Sequence, residues 1–396
     1  MQPNSDGKYI VKVIGFKSVF LPSPADVLQL LGLPNSIVKL IPSLEDRYDQ
    51  PLRVSRSSRA EMSKKGVARP TIKKLLNWFE FLPIPIKRFL SVPHVLKTRR
   101  AMNVGSNAGL WNALSYGYRI SAQDDEFTLL LDFIDARAKV DYQMVKSIKS
   151  EIRKGVIKEN DLNAIWLAQV DICIEYSGVP AEQLVFYSLY AASENTQFSR
   201  SEKENSAILK AFFHLFFDFY FSAIAHYELG LSLYYMRCGA KEIGEPHRSF
   251  FSSVINGYND NGRACFSSML SELRTILTKN ELGSSWRSLA AYIDIDESGE
   301  CAETLNDKQY KQLKDWRNGK NMPSANKLRK FVSNYMNALG GNDVDSVLIY
   351  LRIARGIDEL VVRLCEQVKD ESVVSIIAEV LAEYPKYFER YKQNLV

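Results

Sequence analysis

Four-residue steps set His214 beside Asp218 and Ser222 beside His226 on a single helical face. A histidine paired with a carboxylate could move protons, and the same pair could begin a metal site. A di-metal carboxylate bundle, however, needs Glu-x-x-His repeats, and none of the four histidines has glutamate three residues before it. A buried aspartate hydrogen-bonded to a histidine or tyrosine explains the same spacing without chemistry. Asp294, Asp296, Ser298 and Gly299 occupy positions 1, 3, 5 and 6 of an EF-hand-like loop, but Leu305 stands where the bidentate glutamate belongs. A solvated acidic turn is the reading this favours. Gly105-Ser-Asn-Ala-Gly109 lacks both the Walker lysine and the G-x-G-x-x-G spacing, and reads as a loop. Ser-x-x-Lys occurs at Ser36–Lys39 and Ser324–Lys327 without its companion motifs, and no G-x-S-x-G or H-E-x-x-H is present. These residues predict no catalytic centre, no metal and no cofactor. An unrecognised enzyme site around His214, Asp218 and His226 stays open as the weakest alternative.

Charge gives a stronger signal. The net charge is only +5 over 396 residues, yet 47–100 holds 14 Lys/Arg against 3 Asp/Glu, and 307–330 holds 8 against 2. Two basic zones on an otherwise acidic chain suggest contact with a polyanion. In the first zone Arg53, Arg56, Arg59, Lys64, Lys65, Arg69, Lys73 and Lys74 are spread among small polar residues. Such an arm can lie along a phosphate backbone, or equally be a solvated loop or a strap on the acidic body. Five scattered cysteines without a C-x-x-C pair fit reduced thiols, and the N-terminus lacks a signal-peptide core, so a cytoplasmic location is expected.

The elements that position these residues are mostly helices. KYIVKVIGFKSVFL (8–21) has the β-branched and aromatic content of a strand or hairpin, and prolines then punctuate the chain to residue 93. Beyond Ser121 proline becomes rare and helical periodicity takes over. The stretch from Ser201 to Arg237 is apolar all round, as a central buried helix would be. Lys210, His214, Asp218, His226 and Glu228 interrupt it, which argues against a membrane span. Asp307 to Arg317 predicts a basic helix with Tyr310, Leu313 and Trp316 on its apolar stripe. Asn318-Gly319 stops it, and Pro323-Ser324 opens a helix with Leu328, Phe331, Val332 and Tyr335 inward.

WRNGKNMPSANKLRKFV, from Trp316 to Val332, resembles the end of the helix-turn-helix of lambda-repressor-like (Cro/CI, XRE) proteins, and SSWRSLAAYI upstream resembles the helix before the turn. The likeness covers residues 263–336. It implies that the helix from Asp307 enters a DNA major groove, with Lys308, Gln309 and Gln312 toward bases and Lys311 on the same helix. Lys320, Lys327 and Arg329 would then lie near phosphates. One departure is large: fourteen residues, IDIDESGECAETLN, replace the short turn, and Asp294, Asp296, Glu297, Glu300 and Glu303 bring negative charge toward the phosphates.

The sequence therefore predicts a mainly α protein in four parts. These are a basic, Pro-rich region with short β structure (1–120), an aromatic helical body (121–262), a helix-turn-helix-like domain (263–340) and a helical hairpin (341–396). The expected function is regulatory DNA binding, with a homodimer as a further expectation. The alternative is a protein-interaction scaffold with a vestigial helix-turn-helix, in which Trp316 and Leu328 serve only packing.

Overall fold

The computed structural model describes residues 20–33, 41–42, 45, 49–59, 74, 77–78, 106–121, 126–192, 202–239, 248–256, 264–295, 304–367 and 372–395. Helix accounts for 76% of the interpretable part and no strand occurs there, so the fold is mainly α. The strand expected at 8–21 lies outside the described residues, apart from Phe20 and Leu21. Among the described residues fifteen helices follow one another: α1 (Pro24–Leu30), α2 (Ala108–Ser121), α3 (Thr128–Arg153), α4 (Leu162–Leu167), α5 (Val170–Tyr176), α6 (Ala181–Ala192), α7 (Glu202–Arg237), α8 (Phe250–Asn256), α9 (Cys265–Lys279), α10 (Trp286–Ala290), α11 (Leu305–Arg317), α12 (Ala325–Ala338), α13 (Val344–Gln367), α14 (Ser372–Leu381) and α15 (Tyr384–Gln393).

The described residues form two compact units. Among the described residues, the first draws on Leu30–Gly32 and Arg248–Glu389, and the second on 20–29, 33–247 and 390–395. Residues 263–340 and the start of the expected hairpin belong together because α13 packs on both α9 and α12.

In the second unit α3 packs against α2 and α7, while α6 packs on α4, α5 and α7. Helix α7 is apolar on nearly every face because nearly every face is covered. Phe213, Phe217, Phe219 and Phe221 are each no more than 1% exposed. By length and composition α7 could cross a membrane, yet 67% of its apolar window is buried inside the protein. Of its two buried carboxylates, Asp218 and Glu228, Asp218 meets Arg137 of α3 in an ion pair in which both side chains are at most 2% exposed.

The first unit combines short helices with the longer α13. Helix α9 turns Phe266, Met269, Leu270, Leu273 and Leu277 inward at helical spacing. Ser285, Thr304 and Ser324 start α10, α11 and α12, each side chain accepting from a backbone N–H three residues on. Gly319 (φ +68°) ends α11, a backbone conformation for which only glycine escapes a Cβ penalty. Helix α9 lacks a cap of its own at Ala264. Asp358 of α13 supplies one, its two oxygens accepting from Cys265 N (2.6 Å) and Phe266 N (2.9 Å).

Candidate functional site

Helix α11 sits against α10 and α9, held by one buried stripe. That stripe is Gln309, Leu313 and Trp316. The expected Tyr310 lies one position away, half-buried, with the Arg287 guanidinium 4.9 Å from its ring centroid. Gln309 was expected to face bases, and the structure corrects this: it is 7% exposed. Its amide donates to Ala291 O (3.2 Å) and Ile293 O (2.8 Å), which satisfies carbonyls left over where α10 ends. A polar side chain at a core position is thus explained by a helix end that needs a donor.

Around the other faces of α11, Lys311 and Lys314 are exposed, while Lys308, Gln312 and Asp315 are half-buried. Arg287 donates to Asp307 at 2.7 Å, and Thr304 donates to the same carboxylate at 2.6 Å. The Thr304 bond and then Arg287 hold the Asp307 carboxyl below the usual carboxylate range. Both partners work against protonation, so the negative charge in the first turn of α11 is locally matched. At the other end Arg317 stacks 3.6 Å from the centroid of Trp286, and Arg274 of α9 lies 4.4 Å from the same ring. An indole face attracts guanidinium, which offsets part of the repulsion between the two cations.

Beyond the turn, Lys320 is exposed and Lys327 is half-buried. Arg329 is exposed but pairs with Asp345 at 2.8 Å. From the acidic connection, Asp294 takes the Lys330 ammonium at 2.9 Å. Asp296, Glu297, Ser298, Gly299, Glu300 and Glu303, which include positions 3, 5 and 6 of the EF-hand-like loop, lie outside the described residues. Among the described residues no cluster of three metal-ligating side chains occurs.

The basic arm divides. Arg53 and Arg56 are exposed. Arg59 grips Glu45 with both terminal nitrogens (2.9 and 2.6 Å) and also donates to Leu52 O, so it straps the 45–59 segment together. That pairing, rather than a phosphate contact, is what the structure gives Arg59. Lys64 and Lys65 lie outside the described residues.

His214, Asp218 and His226 are all withdrawn into the second unit, each tied to different partners. His214 Nδ1 donates to Gln183 Oε1 (3.0 Å). One Asp218 oxygen accepts from Arg137 and the other from Gly178 N (2.6 Å). Arg137 also donates to the carbonyls of Phe20 and Tyr176, so this network joins three distant stretches of chain. His226 Nδ1 donates to Ser222 O at 2.7 Å. The stretch 105–109, expected as a loop, is half corrected: α2 begins at Ala108, and Ser106 Oγ accepts from Ala108 N while donating to Asp141.

Sequence reasoning missed Arg137, Arg274, Trp286, Arg287 and Asp358. None carries a local signal, because each acts on a partner on another element.

The fold and these contacts place the chain among all-helical proteins. No protein-family model matches it, and neither a curated protein nor a solved structure does.

Proposed function

We propose that this protein binds duplex DNA through α11 and the turn after it, in a regulatory role and in the cytoplasm. The observation that carries the proposal is the division of α11. Gln309, Leu313 and Trp316 lock one side into the core, while Lys308, Lys311, Gln312 and Lys314 keep solvent access on the others. A helix fixed from behind and basic in front can enter a major groove without rearranging. Lys308 and Gln312 would meet base edges, and Lys311, Lys320 and Lys327 the flanking phosphates. Arg329 would exchange Asp345 for phosphate at small cost, since exposed ion pairs contribute little. The internal pairing of Asp294 with Lys330 and of Asp307 with Arg287 removes part of the repulsion that an acidic approach to DNA would bring. The likeness of 263–336 to lambda-repressor-like proteins supports the same proposal, and Arg53 and Arg56 remain for the arm.

Fluorescence anisotropy of the full chain with labelled genomic duplexes at about 50 mM salt tests it, since backbone-driven affinity is greatest at low salt. Binding should weaken steeply as salt rises. The double substitution Lys308→Glu/Gln312→Ala should lower affinity at least tenfold with the fold intact. Absence of any binding at low salt would end the proposal.

A second reading, a protein-interaction scaffold, is favoured by α6. Val185, Phe186 and Leu189 are 47%, 37% and 65% exposed along its outer side. Sedimentation velocity would distinguish it: self-association abolished by Leu189→Glu, with no DNA affinity, is its signature.

A further inference from the structure

The His226 environment is left unexplained by DNA binding, and it contains a cavity. About 260 Å³ of space lies beside the ring within the second unit, walled by Leu129, Phe133, Leu229 and Leu395 together with Tyr391. The lining is overwhelmingly apolar. Asp132 and Asn394, both exposed, mark its solvent side. An apolar cavity of about 150 Å³ is enough to hold benzene, so this one has room for one or two fused rings.

His226 is the polar feature of that space, and its proton is assigned by geometry. Nδ1 lies 2.7 Å from the Ser222 carbonyl, which can only accept, so Nδ1 carries the hydrogen. In the neutral imidazole Nε2 is then a bare lone pair. The ring cannot easily turn to change this. Phe133 stacks on it at 4.6 Å, with 20° between planes, and the Tyr391 ring lies at 4.2 Å. Tyr391 is itself pinned by a 2.9 Å hydrogen bond between its hydroxyl and Ser222 Oγ. Burial lowers the pKa of His226, against the opposing effects of the Ser222 carbonyl and Asp132, and so favours the neutral ring. The charged group beside the ring is Asp132, from α3, and it already pairs with Arg119 of α2 at 2.7 Å. From α15 and the residues after it come only Tyr391, Asn394 and Leu395, and from α7 Leu229. Arg119 also takes Asp135 at 3.3 Å, so these charges sit at the exposed rim and none inside the cavity asks for an ionic ligand.

We infer that this cavity is a binding site for a small, neutral aromatic molecule bearing one hydrogen-bond donor, such as an indole or a phenol. The rings of Phe133, Tyr391 and His226 would contact its faces and edges. With Nδ1 committed to the helix backbone, Nε2 is the ring nitrogen left to receive the donor.

Indole and benzothiophene, which have nearly the same shape but differ in the N–H, are the probes. Titrated into the full-length protein and followed by ¹⁵N resonances of the histidine side chains, indole should bind saturably and shift His226 Nε2. Benzothiophene should bind about tenfold more weakly, the usual worth of one hydrogen bond. His226→Phe keeps the stacking and removes the acceptor, so it should bring the two probes to equal affinity. Leu395→Trp changes a residue that is 46% exposed and should fold normally while blocking the cavity. Circular dichroism checks that it does. Failure of indole to saturate at millimolar concentration, equal affinity for both probes in the unmodified protein, or binding that survives Leu395→Trp would each overturn the inference.

Discussion

Both units carry ion pairs at the surface, but among the described residues the second also seals one in its core. In the first, cations meet carboxylates at the surface and mostly between neighbouring helices: Arg287 with Asp307, Lys330 with Asp294, Arg329 with Asp345. In the second, Arg137 and Asp218 are sealed in the core and tie together the carbonyls of Phe20 and Tyr176 and the Gly178 N–H. Exposed pairs contribute little and exchange partners readily, which suits the phosphate contacts proposed for this surface. A buried pair cannot exchange, because removing either member leaves an uncompensated charge in a low-dielectric interior. The contrast separates a surface kept adaptable from a core specified by polar contacts.

The largest test of that contrast is Arg137→Met. It leaves Asp218 without its cation and should lower stability by about 3–5 kcal/mol in urea denaturation. Arg329→Ala at the surface should leave the same curve unchanged within error, and similar losses for both would dissolve the distinction. Gln309→Leu should cost about 1–3 kcal/mol, because the carbonyls of Ala291 and Ile293 lose their donor inside the protein. Its DNA affinity, compared at a temperature where both proteins are folded, should change far less than that of Lys308→Glu/Gln312→Ala. The reverse pattern would return Gln309 to the groove.

Opposite pH slopes should also mark the two units. Burial pushes the Asp358 carboxyl up to about 6, against its bonds from Phe266 N, Cys265 N and the Cys265 thiol. A group raised above its unfolded value, about 3.9 for aspartate, contributes stability that is fully present below about pH 4. That contribution is lost as pH rises through about 6. His226 is lowered instead, so its contribution is present above its unfolded pKa, about 6.5, and is lost as pH falls through the depressed folded value. Thermal melts from pH 4 to 8 should flatten on the upper-acid side with Asp358→Asn, and in the window below about 6.5 with His226→Phe. An unchanged slope in either variant would show that other groups control it. A modest loss is expected for Gly319→Ala in the same urea denaturation, about 1–2 kcal/mol for a methyl group held in the left-handed region.

Much of the first unit could be read in advance because its signals are local. Ser324 caps α12, Asn318-Gly319 closes α11, and Leu328, Phe331, Val332 and Tyr335 face inward as their spacing implies. The stripe of α11 was misplaced by one residue. Tyr310 and Gln309 both fit a helical repeat with Leu313 and Trp316, and apolarity alone prefers tyrosine. What seats glutamine inside is the end of α10, eighteen and sixteen residues earlier, whose carbonyls need its amide. Arg59 shows the same thing in the basic arm: its charge suggests a polyanion, and Glu45, fourteen residues away, determines its use.

By itself, then, the sequence determined the helical class, the burial of α7 through its uniform apolarity, and the caps and stops around α11. Each of these rests on residues within a few positions of one another, where backbone geometry dictates who can meet. The tertiary structure alone decided that Asp218 belongs to Arg137, that Asp358 caps a helix 93 positions away, and that His226 faces a cavity closed by residues near 395. The physical reason is that an ionisable side chain is equally at home in water or beside any matching partner. Which partner it meets depends on how distant helices pack, and helix packing is set by apolar surface that carries no record of the charges it brings together.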